Sequence, residues 1–255
     1  MMQPCPVLII NLPSSAARRA AMASQCARLG LTAEFIAAVD GRALDAAQRA
    51  ACCAESFAAF HSPLTGAEVG CYLSHLKALQ YLVDHDCPWA VVLEDDVRLP
   101  ADFATRLTVL CQEAAPTFDL IKLNGHLPRQ LVLQVLSNGD RLVRFRRPPI
   151  NANAHLWSLA GARKMLAHSS RVRRPIDVEI KHWWEIGLRV ATLAPELVTL
   201  DPALCRASTI GVRNVRNAAG WYRKLRYNIA YSLASRYQLC RDAGWARGLR
   251  LLLPF

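Results

Sequence analysis

The sequence predicts an α/β fold: one domain on a mixed, mainly parallel sheet, followed by a basic amphipathic helical tail. Three observations lead there. Short apolar runs alternate with stretches of helical spacing from Val7 to His168, the pattern of strands joined by helical crossovers. Leu131 to Leu136 and Arg141 to Phe145 flank Ser-Asn-Gly-Asp, a hairpin signal that adds an antiparallel piece. The charge is lopsided: the chain carries +11, and residues 206–255, with ten Lys/Arg against Asp242, hold +9 of it.

The elements follow in order. Val7 to Asn11 is an apolar run closed by Asn-Leu-Pro and reads as a buried first strand. Residues 14–29 have helical spacing, with Ser14 or Ser15 as N-cap and Gly30 past the end. Glu34 to Val39 reads as a second strand stopped by Asp40-Gly41. Alanine content predicts a helix from Asp45 to Cys53. Thr65 to His85 opens with the capping-box pattern Thr65-Gly66-Ala67-Glu68 and keeps Val69, Leu73, Leu76, Leu79 and Leu82 at helical spacing. A strand over Ala90 to Leu93, a helix over 101–114 and a strand over Leu120 to Leu123 precede the hairpin. A strand near His155 to Leu159 and a helix from Gly161 to His168 follow it. In the tail, Trp221, Leu225, Ile229, Leu233 and Tyr237 recur every four residues beside Arg223, Lys224, Arg226, Arg236 and Arg241. The chain then ends in Leu-Leu-Leu-Pro-Phe. That pattern suits an anionic membrane surface, or packing on the domain through the same stripe.

At 255 residues and 53% apolar content the chain can bury a sizeable core. No apolar run approaches the roughly 18 residues needed to span a bilayer. The N-terminus lacks the basic start of a secretory signal, which points to the cytoplasm. Nine scattered cysteines without a Cys-x-x-Cys pair suggest neither a disulfide framework nor a zinc site. We divide the chain into a domain over residues 1–205 and a basic C-terminal segment over 206–255.

Ala90 to Leu93 runs into Glu94, Asp95 and Asp96. Ligands of open parallel sheets gather at the C-terminal ends of strands. Two unit charges about 4 Å apart repel by roughly 4 kcal/mol at an effective dielectric of 20. Three carboxylates there either take up protons or bind a cation, and Mg²⁺ and Mn²⁺ favour oxygen ligands shared with a phosphate. A solvated strand end, or carboxylates capping the next helix, is the plainer alternative.

The residues around this triplet resemble glycosyltransferase family 25, the bacterial lipopolysaccharide and lipooligosaccharide glycosyltransferases related to collagen galactosyltransferases. The resemblance rests on ordered blocks: VLIINLPSSAARRAAM, FIAAVDGRAL, LTGAEVGCYLSHLKAL, AVVLEDDVRL, FDLIKLNG, HLWSLAGARKML and RRPIDVEI, with Ala67 where the family commonly has glycine. It implies a GT-A-like nucleotide-diphosphosugar fold, a divalent metal (Mn²⁺ or Mg²⁺) and an inverting transfer. The usual donor is UDP-galactose and the usual acceptor a lipid-linked oligosaccharide, the lipopolysaccharide core. The expected place of work is the inner face of the bacterial inner membrane.

Matched block by block, Glu94 and Asp96 become metal residues, since i and i+2 on a strand project to one side. Asp95 turns to backbone or donor sugar. Asn11, Leu12, Arg18, Val39, Asp40 and Gly41 lie at the ends of the first two strands, positions that suit uridine and ribose contacts; Asn11 as a strand end, Arg18 as a solvated helix residue and Gly41 as a turn stay open. Glu68 and His75 share a helix face and are further donor contacts; a capping role for Glu68 and a structural role for His75 stay open. An inverting transfer needs a base for the acceptor hydroxyl. Asp177 is the first choice, with Glu179 and Glu185 as alternatives and a helix-capping role also open for Asp177. His155 is a substitute for the late histidine ligand common in this fold. Trp183 and Trp184 are candidates for stacking on the acceptor sugar, or core material. Two other readings remain: a basic-tailed nucleic-acid-binding protein, disfavoured by the near-neutral body, and a degenerate transferase-like assembly partner, disfavoured by the intact acidic block.

Overall fold

The computed structural model describes residues 5–54, 59–114, 117–125, 130–205 and 218–245. In chain order the strands are β1 (Val7–Asn11), β2 (Ala33–Ala37), β3 (Trp89–Glu94), β4 (Val97–Arg98), β5 (Leu120–Lys122), β6 (Gln130–Val135), β7 (Arg141–Phe145), β8 (Ala154–Ser158), β9 (Val190–Ala194) and β10 (Thr199–Leu200). The helices are α1 (Ala16–Arg28), α2 (Ala46–Cys52), α3 (Gly66–Asp84), α4 (Phe103–Ala114), α5 (Leu159–His168), α6 (Ile176–Lys181), α7 (Trp183–Ile186), α8 (Pro202–Cys205) and α9 (Ala218–Ala243).

Eight strands form one mixed sheet in the order β2-β1-β3-β8-β5-β9-β7-β6, and β10 pairs with β4 in a small antiparallel ribbon. β1 is parallel to both β2 and β3, and β5 is parallel to β9. β8 runs antiparallel between β3 and β5, and β7 antiparallel between β9 and β6. Only β8 and β7 are therefore reversed in an otherwise one-way sheet. The sheet is mixed, as the sequence predicts, but β8 is an antiparallel insertion in its centre that strand–helix alternation does not announce.

The central strands are buried on both faces, which explains their unbroken apolar runs. Side chains alternate between two cores. Val7, Ile9, Val91, Leu93, Leu156 and Ile121 pack with Met22 of α1 and with Phe103, Leu107 and Leu110 of α4. Leu8, Ile10, Val92, Leu120 and Trp157 pack on the other face with Tyr72 and Leu79 of α3, Met165 of α5 and Ile180 of α6. The result is a three-layer sandwich.

Local chemistry sets the helix starts. Asp45 with Gln48, and Thr65 with Glu68, form reciprocal capping boxes. Ser15 precedes α1 without a side-chain capping bond, so spacing alone locates that start. Gly139 takes φ +86° in the β6–β7 turn, a conformation that costs glycine nothing. The short helices α6 and α7 and the strand β9 carry too few periodic positions to be read from sequence.

Helix α9 carries the stripe expected of the tail, but packs through another row. Tyr231, Ser235, Leu239 and Cys240 are buried, and Asp242 accepts from Trp183 Nε1 at 3.1 Å. Trp221, Leu225, Ile229, Leu233 and Tyr237 are 39–65% exposed. Among the described residues no helix is long and apolar enough to cross a membrane. Arg206, Arg213, Arg216, Arg247, Arg250 and the terminal Leu-Leu-Leu-Pro-Phe lie outside the described residues.

One close contact positions the cleft described below. A Cβ on Gly70 of α3 would lie 2.5 Å from both Gly41 N and Val39 O, and one on Gly41 would lie 1.9 Å from Gly66 O. Helix and loop touch backbone to backbone. Gly70→Ala is expected to lower stability by about 1–3 kcal/mol, as overpacking does. Urea unfolding measures this; an unchanged midpoint would show that the loop yields freely.

Candidate active site

Chain topology fixes where a ligand can sit. From β1 the chain crosses by α1 to β2 on one side, and later returns by α3 to β3 on the other side of β1. The strand order reverses at β1, so a crevice opens beyond the C-terminal ends of β1 and β3. Leu12, Arg18, Val39, Asp40, Gly41, Cys71, Glu94 and Asp95 line a cleft there. Residues expected from separate sequence blocks are thus brought together. Val39 N donates to Ser74 Oγ at 2.8 Å, tying the loop after β2 to α3. Asp40 is held by Arg42 on the exposed rim, and that pairing keeps its carboxyl below the usual range.

The three carboxylates of the acidic block go three ways. Asp95 is buried and accepts from Asn11 Nδ2 at 2.7 Å and Arg18 Nη1 at 2.9 Å. It is therefore a buttress between β1 and α1 and not a backbone cap. Glu94 Oε1 is 3.3 Å from His75 Nε2, and its Oε2 accepts from Asn153 Nδ2 at 3.1 Å. Asp96 Oδ1 accepts from the same Asn153 amide at 3.3 Å. Glu94 and Asp96 therefore converge on one point. Burial, with the neighbouring Glu94 charge, pushes Asp96 up to about 6. Burial also raises Glu94, but the His75 hydrogen bond and charge, with Cys71 and Asn153, bring it below the usual carboxylate range. A divalent cation fits this pair: the oxygens converge, their mutual repulsion is what such an ion relieves, and Asp95 is already neutralised.

Behind the acidic block lies a second polar layer. Lys122, at the end of β5, is fully buried; its Nζ donates to Asn151 O at 2.5 Å and lies 3.3 Å from His155 Nε2. Burial lowers the lysine to about 7 and holds His155 well below its usual range. His155, bonded to Lys122 inside the sheet, is not presented to the cleft as a late ligand would be. Asp177, in the first turn of α6, lies within electrostatic reach of Lys122, Lys181 and Glu68, and burial raises its carboxyl. Pro175, not Asp177, occupies the N-cap.

Several expected residues are committed elsewhere. Glu179 is fully buried, and its Oε1 takes Arg174 Nη1 at 3.0 Å, Arg173 Nη2 at 3.1 Å and His168 Nε2 at 3.1 Å. Glu185 takes Arg174 at 2.8 and 3.2 Å. Both carboxylates brace α6 and α7, and neither is placed as a base. Trp183 is 3% exposed and offers no face to a sugar, whereas Trp184 is half-buried. Glu68 serves the capping box, accepting from Thr65 N at 2.8 Å. Asn153, Lys122 and Cys71 are site residues that sequence reasoning did not single out. Asn153 reaches Glu94 across a strand pairing 59 residues away in sequence, a contact no local signal carries.

Comparison with known proteins identifies the family. Residues 5–180 match the family profile described as glycosyltransferase family 25 (LPS biosynthesis protein). The probable inactive glycosyltransferase 25 family member 3 of Rattus norvegicus is 32% identical over 223 residues, covering 76% of this chain and 37% of the relative. Procollagen galactosyltransferase 1 of Danio rerio is 29% identical over 192 residues, covering 67% of this chain and 30% of the relative. The chain thus spans about a third of the length of these relatives. A solved glycosyltransferase involved in the glycosylation of the major capsid of PBCV-1 superposes with a TM-score of 0.42 at 11% identity, covering 89% of this chain and 100% of that one. With the profile matched over well more than half of its length, the chain belongs to glycosyltransferase family 25.

Proposed function

We propose that the chain is an active, inverting, metal-dependent GT-A-type hexosyltransferase. It moves galactose from UDP-galactose onto a core sugar of a lipid-linked oligosaccharide, lipopolysaccharide or lipooligosaccharide. The observation that carries this reading is the convergence of Glu94 and Asp96 on Asn153 beside a cleft at the strand-order reversal. Glu94 and Asp96 would hold Mn²⁺ or Mg²⁺, whose contribution is to offset charge on the departing diphosphate. Leu12 and the Val39–Gly41 loop form the wall suited to the nucleoside, and Arg18 stays fixed by Asp95. The acceptor hydroxyl attacks the anomeric carbon, the carbon–phosphate oxygen bond breaks, UDP leaves, and Asp177 takes the hydroxyl proton. A carboxylate raised by burial is the stronger base for that task. Trp184 is the remaining aromatic for the acceptor side.

Some relatives are named inactive, which keeps an assembly-partner role in view. The two converging carboxylates favour turnover, since an idle site has no need of clustered like charge.

The proposal extends to the inner face of the bacterial inner membrane. The buried row of α9 (Tyr231, Ser235, Leu239, with half-buried Tyr227) and the exposed row (Trp221, Leu225, Ile229, Leu233, Tyr237) are offset by two residues, about 200° around a helix. The exposed row therefore faces away from the domain. Lys224, Arg226, Arg236 and Arg241 are exposed beside it. An anionic bilayer matches both features: each basic side chain near such a surface contributes about 1 kcal/mol.

Two measurements test these readings. Incubated with a UDP-sugar panel, Mn²⁺ and extracted lipopolysaccharide, the protein should release UDP fastest from UDP-galactose. Asp96→Asn should cut turnover about 100-fold or more with an unchanged circular dichroism spectrum. Wild-type rates in the variant would remove the metal role, and salt-sensitive RNA or DNA binding without turnover would favour a nucleic-acid partner. For the membrane, Ile229→Glu with Leu233→Glu should weaken sedimentation with phosphatidylglycerol vesicles at least roughly tenfold, given about 1.5–3 kcal/mol per buried aliphatic side chain. Equal binding by the double variant would sink the lipid assignment.

A further inference from the structure

Glu94 has two oxygens, and they face different chemistry. Oε2 looks toward Asn153 and Asp96, an oxygen-rich setting. Oε1 looks toward α3, where Cys71 Sγ stands 3.5 Å away and His75 Nε2 3.3 Å away. Cys71 and His75 are four residues apart on the helix, one turn on the same face. The sulfur, nitrogen and carboxylate oxygen all lie within 4.8 Å of one another.

Two of these three separations match a tetrahedral metal site. Zinc binds thiolate sulfur at about 2.3 Å, imidazole nitrogen at about 2.0–2.1 Å and carboxylate oxygen at about 2.0–2.2 Å. Tetrahedral angles between such bonds place sulfur and oxygen about 3.5–3.7 Å apart, and nitrogen and oxygen about 3.3–3.5 Å apart. The protein already holds both distances without rearrangement. The charges close as well: one thiolate and one carboxylate balance a dication, leaving a neutral unit in a half-buried setting. Access exists, because Cys71 and Glu94 both line the cleft.

We propose that Cys71, His75 and Glu94 form a three-ligand site for a thiophilic divalent ion of the Zn²⁺ class, distinct from the oxygen-only pair of Glu94 and Asp96. On binding, the Cys71 S–H bond breaks, the sulfur–metal bond forms and the proton passes to solvent. A fourth position is left for water. The cysteine spacing in the sequence signals no zinc site because the ligand set is Cys, His and Glu, with the Glu contributed by a strand. Among the described residues a second cluster of this kind, His168 with Glu179 and Glu185, is filled by the Arg173 and Arg174 guanidiniums, which bar a cation. The proposed site shares Glu94 with the transferase reading but does not depend on it, since metal binding is read without any nucleotide sugar.

Co²⁺ is the probe, because a thiolate ligand gives it a near-ultraviolet charge-transfer band and tetrahedral geometry gives it intense visible bands. Titrating the reduced, metal-free full chain should produce both at one ion per chain, with Zn²⁺ displacing Co²⁺. Cys71→Ser should abolish the charge-transfer band, and His75→Ala should weaken binding 10-fold or more. Asp96→Asn should keep the band, which separates this site from the oxygen pair. X-ray absorption of the Zn²⁺-loaded wild-type chain tests the same ligand set without a variant, and one sulfur among nitrogen and oxygen neighbours is expected. Absence of the band, its survival in Cys71→Ser, or a count of zero or several sulfurs would overturn the assignment.

Discussion

The crowding of three carboxylates at the end of β3 is the constraint on which the rest of the site depends. Like charges at adjacent positions in a half-buried crevice cost several kcal/mol unless each finds its own partner. Here the partners come from three directions. Asp95 draws in Arg18 and Asn11, Glu94 draws in His75 and Cys71, and Asn153 bridges Glu94 to Asp96. Satisfying the triplet therefore fixes α1, α3 and the entry to β8 around one point. Asp95 is paired directly with Arg18, whereas Glu94 and Asp96 share the neutral Asn153 amide. That asymmetry leaves negative potential concentrated at Glu94 and Asp96, where a cation would relieve it.

The antiparallel strand β8 explains how the third direction is available. Had β8 run parallel to β3, its first residues would lie at the opposite end of the sheet. Reversed, it begins at the crevice, so Asn151 and Asn153 arrive beside the ends of β3 and β5. Asn153 O also accepts from Glu94 N at 2.7 Å, which fixes the residue whose side chain bridges the carboxylates. Lys122 then sits beneath, bonded to Asn151 O, a lysine that burial lowers to about 7.

What was legible in the sequence follows from range. β1, α3, β3, the β6–β7 hairpin and α9 declare themselves because caps, turns and periodicity act over a few residues. The gathering of Leu12, Arg18, Val39, Gly41 and Glu94 in one cleft was recoverable only from the order of family-like blocks. Roles set by long-range pairing were not. Glu179 looks like any other acid near Asp177, yet two arginines and a histidine consume it. Trp183 and Trp184 are neighbours in sequence, but one turns inward to Asp242 and the other stays half-exposed. The α9 stripe was visible as a pattern, while its exposure depends on a second row of side chains that no hydropathy pattern ranks above the first.

The braces around Glu179 tie the two halves of the proposed function together. Arg174 joins Glu179 on α6 to Glu185 on α7, and His182 between those helices meets Tyr227 of α9 at 3.4 Å. Lys181 lies over the Tyr231 ring at 4.5 Å. The helix that carries Asp177 is thus held at its C-terminal end by Tyr227 and Tyr231 of α9. A base must hold its carboxylate within a few tenths of an ångström of its target, and rigid support is what supplies that. On the proposed reading, the exposed row that meets a lipid surface and the carboxylate that meets the acceptor belong to one braced unit. Fixing α9 against a bilayer would set the height of Asp177 above it, a geometric reason for a transferase acting on lipid-linked sugars to keep this helix docked.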